Sequence, residues 1–435
     1  MKPSLYAVAA SLYLAEYTLY SNSSSTVLLN ASISDYFHVS YGAAANVGVA
    51  FLAGFCATLL PAGLVLDRCR STTTFYVSSA ALALLGVAAS LSPQFWVLVA
   101  IRFLQGVASA LLAPQLFRIA RQQFYPHHHT AFLGTWGLVV SASALCSPLI
   151  TAVLNDAWGW RAFPYETVLT TAASIPLMLC GARVEATDAA KDESSCRGGA
   201  LIVSCGLVQV VIFLAAGATT TLTTKVLLGA LAMVLGFAVI GIRRRSGGED
   251  RQPIVYRSFL IVFVAGIATN VFTLVVIYVL QRVQLFSSYR AALFLLPMAL
   301  AAGLLPISTF GRPGNDAKNT RLVRLGAGCL VLAGATVAFG APVLVSATAM
   351  GSAMGFLWSS LATNVLTNSA RVTFDSAVYH YLRALGAAIG VSVGAAAIDG
   401  FDIPSALFMF AAGLITVAGV VASIAAQPTR IAVSR

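Results

Sequence analysis

The sequence predicts an all-α integral membrane protein of fourteen transmembrane helices, arranged as two six-helix bundles with a central two-helix insert. Three observations lead to this prediction: the scarcity of charge, the spacing of the apolar segments and the placement of the basic residues. The chain has 435 residues, of which 58% are hydrophobic and only 9% are charged, against about 25% in soluble domains. Since no soluble fold can hide that much apolar surface, we expect the chain to lie in a bilayer.

Fourteen apolar segments of transmembrane length follow one another along the chain. A bilayer core about 30 Å thick requires roughly 20 apolar residues per helix, and charges, Pro, Gly or Ser clusters bound such segments here. They cover residues 4–30, 41–66, 74–92, 95–119, 131–154, 162–182, 199–217, 222–241, 254–281, 288–308, 322–338, 341–364, 375–397 and 404–425. The first is diluted by the polar run from Ser21 to Ser25, and twelve helices are the alternative count.

Basic residues fall mainly on one side of the membrane when these segments alternate in direction. Of the 26 Lys and Arg residues, Arg102 and Arg383 lie inside segments, and the minority side receives only Arg161, Lys225, Arg282 and Arg290. The positive-inside rule then predicts a multi-pass protein of the cell (inner) membrane with both termini in the cytoplasm. This topology, together with attraction to anionic lipid, accounts for the net charge of +11, so we expect no nucleic-acid partner.

Two polar loops, at residues 183–198 and 243–252, divide the chain. They separate an N-terminal six-helix bundle (1–182), a central segment of cytoplasmic loops with the inserted hairpin (183–252), and a C-terminal six-helix bundle (253–435). Two six-helix halves are typical of a transporter that binds its substrate between them near the membrane midplane. The seven cysteines show no ligand spacing, and we expect no metal site and no cofactor.

Few ionisable residues interrupt the apolar segments, and each is costly unless it faces a cavity or a partner. They are Glu16, Arg102, Glu166 toward the outer end of the sixth segment, and Arg383. Glu16 is the most informative, because Tyr13 and Tyr20 share its helical face and frame a carboxylate that can hold an organic cation. Such a carboxylate can also load and release a proton. The alternative is a tyrosine-rich helix end at the membrane interface, with Glu16 reaching out to water.

Two short motifs stand at the end of the second segment and in the first half of the fourth. Arg102, Gln105 and Gly106 lie on one side of the fourth helix, whose other side carries small residues that permit close packing. Gly63-x-Leu-x-Asp67-Arg68 ends the second helix and enters a tight cytoplasmic turn. Taken singly, the first could be a snorkelling arginine on a packing face and the second an ordinary positively charged loop.

Together the two motifs resemble the signature motifs of the major facilitator superfamily, in its drug:proton antiporter branches. Ser147-Pro148 in the fifth helix is similar to the antiporter motif, where Gly-Pro is usual. The segment that closes the ninth helix at Gln281 and the one around Arg383 in the thirteenth are similar to the 14-helix branch. The resemblance implies that Asp67 and its arginine neighbours latch the cytoplasmic side and that Arg102 supports proton transfer.

From these features we expect a monomeric secondary active transporter that exports small hydrophobic, cationic compounds in exchange for protons, by alternating access. Proton and substrate would compete for Glu16, with Tyr13, Tyr20, Arg102 and Gln105 around the site. The alternative in the same class is a facilitator or exporter of a specific metabolite. A membrane-embedded enzyme would need catalytic or metal-binding side chains clustered at one depth, and because the sequence contains no such pattern we expect no catalytic residue.

Overall fold

The structure, a computed structural model, describes residues 3–65, 70–124, 129–181, 234, 253–307, 316–368, 372–401 and 404–426. Within these residues the secondary structure consists of helices and turns, with no β-strand. The helices of the first half are α1 (Pro3–Ser24), α2 (Asn30–Phe37), α3 (Tyr41–Ala44), α4 (Asn46–Val65), α5 (Ser71–Ser90), α6 (Phe95–Phe124), α7 (His129–Trp158) and α8 (Phe163–Gly181). Those of the second half are α9 (Pro253–Tyr278), α10 (Ser288–Ile307), α11 (Asp316–Ala338), α12 (Val343–Asn368), α13 (Val372–Gly400) and α14 (Pro404–Ala425).

Apart from the short α2 and α3, the described residues form six long helices in each half, which confirms the predicted all-α membrane class. Eight helices of this part of the chain are long and apolar enough to cross a membrane. The two predicted central helices, at 199–217 and 222–241, lie outside the described residues except for Val234. The choice between fourteen and twelve helices, and the proposed domain limits, therefore stay predictions.

Small residues bring the helices of each half into close contact. In the first half, α4 packs along α6, and a side chain added at Gly54 or Gly106 would strike the backbone of the opposite helix, at Phe103 and Phe51 respectively. In the second half α9 packs along α13 in the same way, with Gly386 against the backbone of Phe263. The close approach at Gly106 therefore lies on the side of the helix that carries the motif, and only glycine leaves room there for the neighbouring backbone.

In the described part of the chain, two pairs of long helices form the main contact between the halves. α4 packs on α13, and α7 packs on α10. These contacts bring helices of both halves together, so that residues of one half can act on residues of the other.

Polar contacts join the halves at one end of the bundle, which we call the distal end. This end carries the helix connections 25–45, 91–94, 159–162, 284–287 and 339–342, the first of which includes α2 and α3. Arg282 forms an ion pair with Asp35 at 2.6 Å. The carboxylate of Asp399 accepts hydrogen bonds from Ser40 Oγ at 2.9 Å and from the Gly42 amide at 3.1 Å. These contacts, each between residues of different halves, close the distal end.

A further distal contact caps a helix of the opposite half. Asp156, at the end of α7, accepts hydrogen bonds from the backbone amides of Ser288 at 3.0 Å and Tyr289 at 2.9 Å. These amides open the first turn of α10, where backbone N–H groups have no partner within the helix. The neighbouring Asn155 donates to Ser288 Oγ at 2.8 Å. The first turn of α10 is thus held by two consecutive residues of α7.

Candidate functional site

Glu16 lies near the middle of α1 and faces the second half of the molecule. Leu12 and Ala15 are fully buried in the first half, whereas Glu16 is only partly buried. Arg383 of α13 lies within electrostatic range of Glu16 and of Tyr20, which is one helical turn farther along α1. The two charged side chains form no direct ion pair. α1 therefore presents a carboxylate and a phenol to a cation that belongs to the other half.

Arg383 is held within the second half by an aromatic ring. Its guanidinium lies over the ring of Trp358 at 5.0 Å, a distance at which cation–π attraction is significant. Tyr379 fixes this part of α12 by donating to the Trp358 carbonyl at 3.2 Å. Arg383 Nε and Trp358 Nε1 are buried and have no hydrogen-bond acceptor. The site thus contains unused hydrogen-bond donors beside a positive charge.

Cys56 of α4 completes the group at the interface. It lies within electrostatic range of Arg383, and its thiol donates to the Tyr381 carbonyl at 3.9 Å, across the contact between α4 and α13. We call the residues that surround this point the central cluster: Glu16, Tyr20, Cys56, Trp358, Tyr379 and Arg383. It draws on four helices and on both halves, which is the arrangement that alternating access requires.

Of the other residues predicted to line the same site, Arg102 and Gln105 lie elsewhere in the first half. Tyr13 packs against the apolar core of the first half. Arg102 and Gln105 of α6 are buried within the first half and bond to each other, with Arg102 donating to Gln105 Oε1 at 2.7 Å. Arg102 and Gln105 thus share one side of α6, as predicted, but they lie beside the end of α1 instead of beside Glu16.

Arg102 is a buried cation whose hydrogen-bond acceptors are all uncharged. It donates to Asn22 through the side-chain oxygen at 2.8 Å and the carbonyl at 2.6 Å, and to Thr26 Oγ1 at 2.9 Å. The rings of Phe51 and Phe163 lie 4.8 Å and 5.8 Å from its guanidinium carbon. These partners spread the charge over dipoles and aromatic faces, and they tie α6 to the end of α1.

The sequence contained a signal for this arrangement. Thr18, Asn22 and Thr26 follow one another at intervals of four, so they form one polar stripe on a helix. In and beside the polar run that dilutes the first apolar segment, this stripe meets α6 and α8: Thr18 donates to Thr170 at 2.7 Å and Asn22 donates to Thr167 at 2.9 Å. The run that weakened the helix prediction is therefore the part of α1 that anchors it to its neighbours.

Glu166 is a buried carboxyl in the first turn of α8 that the sequence analysis noted without assigning it to the site. Only 6% of the residue is exposed. Tyr17 donates to Glu166 Oε1, and Thr151 of α7 donates to Oε2 at 3.2 Å. Because Tyr17 directly follows Glu16, consecutive residues of α1 reach two different carboxyl sites.

The remaining motif residues lie around this network. Ser147 of α7 is fully buried, and its hydroxyl forms a hydrogen bond with the hydroxyl of Ser25. The next residue, Pro148, lies inside the same helix. Gln281 stands in a π-helical turn after α9 and donates to the Leu28 carbonyl at 2.9 Å. Gln281 thus belongs to the distal contact between the halves and not to the central cluster.

Of the predicted gating motif, Gly63 lies in the last turn of α4. Asp67 and Arg68 lie outside the described residues. Their role as a cytoplasmic latch stays a prediction.

Relatives of the chain are named for drug resistance and export. The tetracenomycin C resistance and export protein of Streptomyces glaucescens is 28% identical over 331 residues, which cover 72% of this chain and 60% of that protein. The probable actinorhodin transporter of Streptomyces coelicolor is 26% identical, with coverage of 80% and 64%. The methyl viologen resistance protein SmvA of Salmonella typhimurium is 25% identical, with coverage of 56% and 51%. The chain thus spans between about half and two thirds of the length of these relatives.

Solved structures share the fold at low sequence identity. A POT family transporter in complex with a thioalcohol-conjugated peptide superposes with a TM-score of 0.67 at 13% identity, over 96% of this chain and 94% of that one. The human organic anion transporter MFSD10 (TETRAN) gives 0.65 at 14% identity, over 97% and 100%. The sequence profile described as Major Facilitator Superfamily matches residues 10–391. The chain therefore belongs to the major facilitator superfamily, a family of membrane transporters and not of enzymes.

Proposed function

We propose that this chain exports small hydrophobic cations in exchange for protons, by alternating access between its two halves. The observation that carries the proposal is the pair of opposite charges that different halves contribute to the central cluster, Glu16 on α1 and Arg383 on α13. Opposite charges on two moving bodies stabilise the conformation that brings them together. A ligand that changes the charge of either one shifts the balance between conformations.

The separation of the two side chains sets an upper limit on the electrostatic attraction between Glu16 and Arg383. The two side chains form no ion pair, so their charged atoms are separated by more than 4.0 Å. At 4 Å and an effective dielectric constant of 20, two unit charges attract by about 4 kcal/mol, which sets an upper limit. Neutralising Glu16 would then change the ratio of the two conformations by up to about a thousandfold. Protonation of Glu16 is thus the event that we propose shifts the balance between the two conformations.

An organic cation would compete with that proton for Glu16. The carboxylate supplies charge, and the ring of Tyr20 supplies an aromatic face close by. The guanidinium of Arg383 lies over the ring of Trp358, so it is held on the side of the second half. The substrate cation would then bind on the α1 side of the cluster. A proton on Glu16 removes the attraction for the substrate, so binding of the two is mutually exclusive.

The names of the relatives support export, and methyl viologen, which one of them is named for, is an organic dication. Under the predicted orientation the distal end faces outward. The present conformation would then be the one closed to the outside, and it would load substrate from the cytoplasm. A monomer in the cell (inner) membrane with cytoplasmic termini is part of this proposal.

Export of a specific anionic metabolite is the second candidate. The buried donors Arg383 Nε and Trp358 Nε1, which have no acceptor, favour it because a carboxylate would satisfy both. In that case Arg383 would bind the substrate and Glu16 would serve the proton alone.

The test is transport in proteoliposomes under an imposed pH gradient, with cationic, neutral and anionic compounds of similar size. Glu16→Gln keeps the shape but removes the titration, so it should abolish gradient-driven transport of cations in a protein that still folds. Glu16→Asp should keep partial activity with a shifted pH profile. Cation transport by Glu16→Gln at the parental rate would refute the proposal.

Two matched variants separate the candidates. Tyr20→Leu should weaken the binding of cations more than the binding of neutral compounds, by about 0.5 to 2 kcal/mol. Tyr6→Leu, on the same helix with 60% of the residue exposed, should leave both unchanged. Transport of anions that is lost in Arg383→Gln, together with no transport of cations, would support the metabolite exporter instead.

A further inference from the structure

Glu166 occupies a protein interior that offers it hydrogen bonds but, among the residues that the structure describes, no ion-pair partner. Its two side-chain oxygens accept from Tyr17 and Thr151, which are both neutral. With 6% of the residue exposed, an ionised carboxylate here would be a nearly dry charge within a membrane-spanning helix. Such a charge is costly unless it is paired, and proteins retain it in membrane helices mainly for function.

The titratable groups around Glu166 are few. On the α1 side the facing group is Tyr17, and on the α7 side Thr151 contacts the carboxyl while Cys146 acts on Tyr17. On the α5 side Gly86 packs against the backbone of Pro164, so that helix brings no charge to the contact.

The two arginines of this region are engaged elsewhere. Arg161 lies over the ring of Tyr36 at 4.7 Å and donates to the Ser92 carbonyl at 3.2 Å. Arg102 bonds to Asn22 and Thr26, as described above. Neither arginine forms an ion pair with Glu166, so its charge state depends on protons more than on a fixed partner.

Helix α1 links this carboxyl to the central cluster. Glu16 lies within electrostatic range of Arg383, and the next residue, Tyr17, donates its hydroxyl to Glu166. A rotation or tilt of α1 that moves Glu16 relative to α13 also moves Tyr17 relative to α8. The hydrogen bond to Glu166 is therefore sensitive to the movement that carries the transport cycle.

From this geometry we infer that Glu166 is a second proton-binding carboxyl, close to the distal end and coupled to the central cluster through Tyr17. A proton from water adds to one carboxylate oxygen when Tyr17 withdraws, and the same proton leaves when Tyr17 donates again. This adds a site to the proposed proton exchange, but it concerns a different carboxyl, and its test does not require transport.

The test is a pH titration of the purified full chain in nanodiscs, followed by infrared difference spectroscopy of the carbonyl stretch of protonated carboxylic acids. Glu166→Gln should lose one titrating band, and Glu16→Gln should keep that band and lose another. Wild-type and Glu166→Gln proteins with identical titrating bands would overturn the inference. If Glu166→Gln loses its band while Glu16→Gln transports cations normally, the inference stands and the proposed function fails.

A second pair of variants keeps the test valid if Glu166→Gln does not fold. Tyr17→Phe leaves the carboxyl in place and removes a donor that stabilises its ionised form, so the protonated band should persist to higher pH. Thr170→Val removes a hydroxyl that bonds to Thr18 and to the backbone of Glu166, not to its carboxyl, and should leave the band unchanged. A band that responds equally to both variants, or to neither, would argue against the coupling through Tyr17.

Discussion

The contact between Asp156 and α10 gives the sharpest test of how the halves are held together. Asp156→Ala removes two hydrogen bonds, at 3.0 and 2.9 Å, from the first turn of a helix that belongs to the other half. A carboxylate that caps a helix N-terminus stabilises it by about 1 to 2 kcal/mol. If the cap exists only while the distal end is closed, its loss should favour the open conformation by about 5- to 30-fold.

The measurement is a distance distribution between spin labels on either side of the distal end. Leu91→Cys and Phe339→Cys suit this purpose, because these residues are 69% and 89% exposed and belong to different halves. The labels should be introduced in a background without the native cysteines. Asp156→Ala should increase the population at long distance relative to the parent. Substrate or low pH should shift the distance distributions of the two proteins by different amounts.

A matched variant separates the charge from the hydrogen bond. Asp156→Asn keeps one carbonyl oxygen that can accept from α10 but loses the charge, so it should shift the distribution less than Asp156→Ala. The reasoning would be refuted if Asp156→Ala gave the parental distribution under conditions in which the parent populates both conformations. The cap would then be present in both states and would play no part in closing the distal end.

Two further predictions concern stability and topology. Arg102→Lys keeps the charge but loses the planar fork that reaches both Asn22 and Thr26, so it should lower the free energy of unfolding by about 1 to 3 kcal/mol. The melting temperature in detergent should report this loss, and Arg70→Lys, at an exposed position, is the control. Equal melting temperatures for Arg102→Lys and the parent protein would show that lysine can replace the buried hydrogen bonds. Accessibility tags at both termini and in the loops 183–198 and 243–252 should all report the same side of the membrane. Tags on opposite sides in the two loops would exclude the central hairpin and the count of fourteen.

The sequence alone determined the class of the protein and most of its helices. Apolar segments predicted at 95–119, 131–154 and 162–182 correspond to the helices Phe95–Phe124, His129–Trp158 and Phe163–Gly181. This success has a simple cause, because a backbone in a bilayer must satisfy its hydrogen bonds internally, and a run of about 20 apolar residues has few alternatives to a helix. The motif residues then indicated the family, which the profile match confirms.

The helix ends and the polar runs were harder to predict from the sequence. The first predicted segment, 4–30, is in the structure a helix that ends at Ser24, followed by a 3₁₀ turn from Ser25 to Leu29. Every residue of that turn is buried, so its polar side chains are satisfied by other helices, as Ser25 is by Ser147. Hydropathy measures the residues of one segment, and it cannot show that a polar run faces protein and not lipid.

Tertiary structure alone decided which buried charges meet. The sequence identified Glu16, Arg102 and Arg383 as costly residues within apolar helices, and it grouped Arg102 with Glu16. The structure instead sets Glu16 opposite Arg383 and gives Arg102 to Asn22, while Glu166 is joined to α1 through Tyr17. Helical periodicity fixes which residues share a face of one helix, but the neighbour on that face depends on how the helices pack, and that is set by close contacts such as Gly106 against Phe51.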